Sequence, residues 1–450
     1  MPRLHGQSLG LVRSMLINNS FKRGCLLTCA LCSFSLPLHS QGLPELVAMA
    51  VQGHPSIAAA NASINVAHAG VDTANWQYYP NASISVENAY ANASDPDYSG
   101  DDLVTRLSVE QPLWQWGAID AGVTLAEVQV VVEQARKRQQ QWQLAESVID
   151  AYGKWLASYL NMRAWEVGLE DHEALLQQVA KRVKQGVSAQ IDLALAQGRV
   201  AATEAEYLAS KTSLQSALLE LSQLTNADLL SGKLADHMSS PQAIDLQASK
   251  AASLLANPQV QVAQAEIRLA EQQLLEQQAS LKPALYLRAE HQINSFSNSN
   301  ASPRTRVFVG MRGSSGAGLS WQSRQRGSEA LLASKRANLQ TAQQAAEQAI
   351  ESLEITSQSL DLRLHSLIMA MVNSEDVASS YGRQFLAGRK SWQEVMNSAR
   401  EKVQMQVQIS DLEAAYLVSS WRHELFTKGL GFAQINATDK AVQLSQETLN

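Results

Sequence analysis

Two stretches decide the reading of this chain. Pro55–Pro80 runs PSIAAANASINVAHAGVDTANWQYYP, and Pro258–Pro283 runs PQVQVAQAEIRLAEQQLLEQQASLKP. In the first, apolar residues fall at Ile57, Ala60, Ile64, Ala67, Val71 and Ala74. In the second they fall at Val260, Ala263, Ile267, Ala270 and Leu274, with Gln277 in the last place. Both series step by 3, 4, 3, 4, 3, and both end in a proline 25 residues after the first, at an offset of 203. That rhythm is one face of a helix, and proline suits a first helical turn. Further on, Arg182-Val183-Lys184-Gln185-Gly186-Val187-Ser188 precedes Asp192-Leu193. It is answered, at an offset of 202, by Gln384-Phe385-Leu386-Ala387-Gly388-Arg389-Lys390 before Glu394-Val395. Anchors that keep nearly the same offset over more than a hundred residues mark an internal duplication.

Each copy has the same order: a proline-started helix, two strand-like runs, a very long helix, a Gly turn and another helix. No proline interrupts Ile119 to Gln185, and Leu144, Val148, Ala151, Trp155, Ser158, Met162 and Trp165 keep a coiled-coil seam. Ile350, Leu353, Ser357, Leu360, Leu364, Leu367 and Met371 repeat it. Helices of that length run on the order of 100 Å at about 1.5 Å per residue, which predicts a rod or tube. The strand runs alternate. Ala82, Ile84, Val86 and Tyr90 oppose Asn81, Ser83, Ser85 and Glu87, and Leu103, Leu107, Val109 and Leu113 oppose Arg106, Ser108 and Glu110. In the second copy Leu285, Leu287, Ala289 and Ile293 oppose Arg288 and Glu290. Val307, Val309, Met311, Leu319 and Trp321 oppose Arg306, Arg312 and Ser320. Strands of ~10 residues with one apolar face suit a membrane barrel, with a small soluble sandwich as the alternative. Trp76, Tyr78, Tyr79, Trp114, Trp116 and Trp321 gather where strands meet helices, as an interfacial girdle would. Four strands cannot close alone, since the smallest such barrels have about eight, so an oligomer would supply the rest.

The chain has 450 residues, is 45% hydrophobic and only 17% charged, and has 34 glycines and prolines together, which suits long helices and excludes broad disorder. The net charge of −6 and the lack of a basic block argue against a nucleic-acid partner. Residues 1–42 carry Arg3, Arg13, Lys22 and Arg23 with no acid, then an apolar run from Gly24 to Leu38 and the small polar exit Ser40-Gln41-Gly42. This is the pattern of a secretory signal peptide, with Met15 as a possible alternative start and a membrane anchor as the competing reading. Its removal takes the charge to −10 and leaves no cysteine, since Cys25, Cys29 and Cys32 all lie within it. Disulfides, thiolate metal sites and cysteine nucleophiles drop out together. The expected organisation is 1–42 signal peptide, 43–240 first repeat, 241–432 second repeat and 433–450 polar tail.

A signal peptide followed by this duplicated order resembles the TolC family of outer-membrane factors, over about Leu43 to Phe432. The paired turns carry the resemblance most specifically: Gly186-Val187-Ser188 with Asp192, and Gly388-Arg389-Lys390 with Glu394. The Pro55 and Pro258 helix starts and the junction Gln111-Pro112-Leu113-Trp114-Gln115-Trp116-Gly117 add to it, while the second junction, ending at Gly327, is degenerate. The resemblance implies a mostly α fold with a membrane β-barrel portion: a homotrimer whose 12-stranded barrel sits in outer-membrane lipid of a Gram-negative bacterium, continuous with a periplasmic helical tunnel. It implies a passive channel without catalysis, cofactor or metal. A periplasmic adaptor (membrane fusion protein) and an inner-membrane transporter of ABC or RND type would dock at the tips, on Gly186, Val187, Ser188, Gly388 and Arg389. Asp192, Lys390 and Glu394 take the family's gate positions, Glu394 as a ring of carboxylates. Asn397 stands where a second acid is expected, and Phe385 replaces a polar aromatic. A solvated helix start is the alternative role for Asp192 and Glu394.

Other classes fit less well. His54, His68, His172, His237, His291, His365 and His423 form no zinc spacing, His423-Glu424 lacks a second histidine, and Gly316-Ala317-Gly318 is only a fragment of a dinucleotide fingerprint. A periplasmic adaptor would place one hairpin between β domains, and a coiled-coil structural protein would lack strand pairs. Within the family, the segment Gly186–Gln197 looks more like ducts of type I secretion, including adhesin export, than like small-molecule or drug efflux ducts.

Overall fold

The elements themselves come twice. A computed structural model describes residues 42–90, 95–229, 246–314, 316–318 and 320–433. The first copy runs α1 (Leu43–Gly53), α2 (Pro55–Asn75), β1 (Asn81–Asn88), β2 (Leu103–Trp114), α3 (Ala118–Lys184) and α4 (Gln190–Thr225). The second runs α5 (Leu246–Ala256), α6 (Pro258–Ser280), β3 (Ala284–Ile293), β4 (Arg304–Arg312), α7 (Ser320–Leu386) and α8 (Trp392–Lys428). α3 and α7 have 67 residues each. The signal segment and its cysteines, the 240/241 repeat boundary, part of the β1–β2 loop, Leu319 and the tail beyond Ala433 lie outside the described residues.

Local chemistry explains the helix starts. Before Pro55, the His54 ring accepts from the Ser56 amide at 3.2 Å; before Pro258, the Asn257 side chain accepts from the Gln259 amide at 2.8 Å. Both prolines take a position where a helix has no use for its N–H. The strands form one antiparallel sheet in the order β1-β2-β3-β4, leaving β1 and β4 as open edges. Two expectations need correction. Trp321 and Ser320 belong to α7, not to the fourth strand, which ends at Arg312. Gly316 and Gly318 take positive φ just after it, and such backbone cannot continue a strand. Gly327 also lies inside α7, so the second junction falls earlier, in that glycine-rich run.

The helices lie side by side. Towards the sheet, α3 packs against α2 and α6, and α6 against α7; away from it, α3 packs against α4 and α8, and α8 against α7. Glu266 of α6 ties the two long helices together, accepting from Arg136 at 3.2 Å and from Lys335 at 2.8 Å. Burial pushes its carboxyl up, but those two partners outweigh burial and hold it below the ordinary range. The largest core forms midway along α3, where Leu144, Val148, Ala151 and Trp155 meet Leu46 and Val47 of α1, Leu221 of α4 and Leu417 and Leu425 of α8. Phe432 and Ala433 also belong to that core. On α7 the expected seam is the buried side: Ile350 and Leu360 are buried and Leu353, Ser357, Leu364, Leu367 and Met371 half-buried.

Two glycines let α3 and α8 touch. A Cβ on Gly153 would lie 2.2 Å from Val418 Cγ2, and one on Gly168 would lie 2.5 Å from Val403 Cγ2. Valine is stiff at χ1, so the helices would have to part. Gly153→Ala and Gly168→Ala are each expected to destabilise by about 1–3 kcal/mol, as overpacked cores do. Thermal unfolding of the purified protein, followed by circular dichroism, checks this.

Candidate functional site

Three places can do work: the far turns, the junction between strands and helices, and the two faces of the sheet. Each turn is closed by backbone bonds of the Schellman type. Gly186 N donates to Val183 O at 2.9 Å and Val187 N to Arg182 O at 2.9 Å; Gly388 N donates to Phe385 O at 2.9 Å and Arg389 N to Gln384 O at 2.8 Å. Both glycines sit at positive φ, 72° and 73°. Val187 and Leu386 are exposed there, 61% and 64%. Beneath, Val179, Ala196, Phe385, Trp392, Val395 and Met396 form a separate small core. It joins the two turns, and Arg182 helps: its guanidinium lies 4.8 Å from the Phe385 ring centroid and donates to Phe385 O at 3.2 Å. Phe385, which stands in the sequence in place of a polar aromatic, is thus the buried anchor of this end.

The three expected gate residues have local partners. Asp192 accepts from its own helix start, Ala189 N, at 3.2 Å. Glu394 does more. One oxygen accepts from Lys390 Nζ at 2.5 Å; the other accepts from the Ser391 amide and hydroxyl, both at 3.0 Å. Ser391 Oγ in turn accepts from the Glu394 amide at 3.4 Å, completing a reciprocal cap of α8. The Lys390 bond, then the Ser391 bonds, hold the Glu394 carboxyl below its usual range; the same contact raises Lys390, whose ammonium also lies 4.4 Å from the Tyr381 ring centroid. Both acids are therefore helix-start residues, and Glu394 carries its own counter-ion.

At the junction, Trp76 and Tyr79 pack 5.0 Å apart and Trp114 and Trp116 pack 6.0 Å apart, all at least half-exposed. Tyr78, 43% exposed, donates to Asp120 at the start of α3, and Gln111 donates to Tyr78 O at 2.9 Å. Trp321 stands nearby in sequence register but on α7, partly buried. The sheet beyond is two-faced. Ala82, Ile84 and Val86 align across the strands with Val109, Leu107 and Thr105, then with Ala289, His291 and Ile293, then with Val307 and Thr305. Ile84, Val307, Val309 and Met311 are 66–70% exposed on that face. The other face carries the ions, among them Arg106 with Glu87 and Glu290.

Sequence reading missed one buried polar pair between α3 and α4. His172, 2% exposed, sits 2.7 Å from Thr203 Oγ1 through Nδ1. The Thr203 hydroxyl donates to Arg199 O at 3.1 Å, so it accepts from His172 Nδ1–H, leaving Nε2 buried without a partner. Burial lowers its pKa, opposed by Asp171 and assisted by Arg199 and Arg400. A depressed folded pKa gives stability that is full above the ordinary histidine range, near pH 6.5, and is lost as pH falls through the folded value. His423, also lowered chiefly by burial, acts in the same direction. The unfolding temperature is expected to drop between pH 7.5 and 5.5, and to drop less in His172→Gln/His423→Gln.

The comparisons agree with this geometry. Residues 46–227 match the family described as "Outer membrane efflux protein". No curated protein sequence shows a significant match. Among solved structures, the outer membrane protein VceC of Vibrio cholerae is 17% identical, with 86% of this chain and 96% of that one covered at a TM-score of 0.71. The CmeC outer membrane channel of Campylobacter jejuni is 13% identical, with 88% of each chain covered at 0.72. The open-state MtrE outer membrane channel of Neisseria gonorrhoeae is 15% identical, with 86% and 89% covered at 0.62. At these identities the structures speak for the fold, a helical tunnel with a β-barrel portion. Residues 46–227, most of the first repeat, thus match the outer membrane efflux protein family, and the described chain has the fold of these outer membrane channels.

Proposed function

We propose that this chain is the outer-membrane duct of a type I secretion system, a passive trimeric channel through which an inner-membrane ABC transporter and its periplasmic adaptor export a polypeptide, adhesins among the candidates. Channels of this family are homotrimers that work with an adaptor and an inner-membrane transporter. The observation that carries the duct is the pair of bare flanks. On one flank lie β1, α2 and α4; on the other lie β4 and α7. Ile355, Leu362 and Met369 recur every seven residues on α7 at 69%, 68% and 55% exposure, a second seam that the described residues leave uncovered. On α4, Ile191, Leu195, Leu208 and Leu219 are exposed as well. Strand edges left unpaired cannot persist in lipid. Copies joined flank to flank in a ring pair β4 with β1 and cover both helix surfaces, and no edge is left.

Type I secretion is supported by the segment Gly186–Gln197, which resembles that branch at the exposed turn. The efflux reading is favoured instead by the description of the family that 46–227 match. A deletion strain separates them: loss of one or more large polypeptides from the culture supernatant, with unchanged drug susceptibility, is expected. An unchanged secretome with raised susceptibility would sink the secretion assignment.

We infer that the closed tip is held by Asp192, Lys390 and Glu394, with Gly186, Val187, Ser188, Gly388 and Arg389 exposed for the adaptor. Because Glu394 is already paired with Lys390, its ring is closer to neutral than three bare carboxylates, so divalent cations should block weakly. Glu394→Gln frees Lys390, and the closed channel is expected to gain conductance in planar bilayers and lose what cation block it has. Unchanged conductance and block would remove Glu394 from the gate.

A further inference from the structure

The four strands contain eight charged residues, Glu87, Arg106, Glu110, Arg288, Glu290, Arg304, Arg306 and Arg312. Register places all eight on one face. Arg106 faces Gln292, which faces Arg304; Ser108 faces Glu290, which faces Arg306; Glu110 faces Arg288, which faces Phe308. The opposite face has no charge and is the one suited to lipid. The polar face is therefore the lumen side once the ring closes, and the inference rests on the duct reading in that respect.

The charges on this face do not balance. Arg106 uses Glu87 at 3.7 Å and Glu290 at 3.2 Å, and Arg312 grips both oxygens of Glu110 at 2.8 and 3.1 Å. That uses every carboxylate of the strands. Arg288, Arg304 and Arg306 have none within ion-pair distance among the described residues. Arg288 is held in place by aromatic faces, 5.1 Å from the Phe308 centroid and 5.9 Å from that of Tyr286, and its Nε is buried with no hydrogen-bond partner. Arg304 and Arg306 are exposed, next-but-one neighbours on β4 whose Cα atoms lie about 7 Å apart by strand geometry. Ring closure cannot cancel the excess. Each copy brings five guanidiniums and three glutamates, whichever pairs form across the new β4–β1 seam. Asp95, Asp97, Asp101 and Asp102 lie beyond the strand ends in the β1–β2 loop, where Asp101 accepts from the Ser295 amide at 3.0 Å.

We propose that Arg288, Arg304 and Arg306 line the barrel lumen as an anion site, repeated around the ring, that receives carboxylate-rich segments of an exported polypeptide. Guanidinium is the group suited to it: planar, always charged and able to take a carboxylate through two parallel bonds. A like-charged lining in a narrow, low-dielectric channel concentrates counter-ions. Weak, multiple sites also let a chain pass rather than lodge. The acidic whole chain, at −6, makes this basic ring a local feature and not a consequence of composition.

The test uses the intact protein in planar bilayers with decaglutamate added on the barrel side at low salt. Decaglutamate is expected to block the current, with block weakening as salt rises. Arg304→Gln/Arg306→Gln should weaken block at least tenfold, and Arg304→Lys/Arg306→Lys should keep most of it. Decaserine, of equal length without charge, should not block. Tripolyphosphate serves as the comparison anion: block weaker than that of decaglutamate supports a carboxylate-rich cargo, and stronger block overturns that choice of cargo. Channels that form but are not blocked, or are blocked equally in the Gln variant, overturn the anion site. Failure to form any channel overturns the duct itself.

Discussion

Everything in this structure depends on backbone hydrogen bonds that a single chain leaves unmade. β1 and β4 each present one unpaired edge, and the apolar face between them exposes Ile84, Val307, Val309 and Met311. In water such a sheet would be an aggregation hazard, and in lipid its edges would be intolerable. Both problems have one solution, a closed ring in which the apolar face meets lipid. The helices meet the same demand from below, since α4 and α7 carry exposed apolar residues on the flanks that continue the strand edges. Strand pairing and helix packing thus call for the same ring.

Within one chain, the stiff part is the contact between the repeats. Gly153 and Gly168 bring α3 against Val418 and Val403 of α8, and the mid-length core places aromatic and aliphatic side chains from five helices around that line. Nearer the far turns this core gives way to a smaller one around Phe385 and Trp392, held by Arg182 and bordered by the paired ions Lys390 and Glu394. The tip therefore rests on a few contacts at the end of long helices. The buried His172–Thr203 pair between α3 and α4 stabilises the region only while neutral.

Electrostatics differ between the two ends. At the tip the acids are helix-start residues and Glu394 has its own cation, so little free negative charge is left there. In the sheet the balance is the reverse, with three arginines beyond what the glutamates take up.

The amino-acid sequence by itself determined the periodic features. The 203-residue offset, the proline-started helices, the heptad seams and the strand alternation are local patterns whose period gives the element type, and each is present in the structure. Where it erred, at Trp321 and Gly327, apolar residues continued past a strand that positive-φ glycines had ended. Tertiary structure alone decided which residues meet. The α3–α8 glycine contacts, the Arg182–Phe385 anchor and the buried His172–Thr203 pair join segments 31 to 265 residues apart, beyond the reach of any local pattern. The surplus of arginine on one face is of the same kind: the residues are plain in the sequence, but only strand register puts eight charges on one side and shows which three lack a partner.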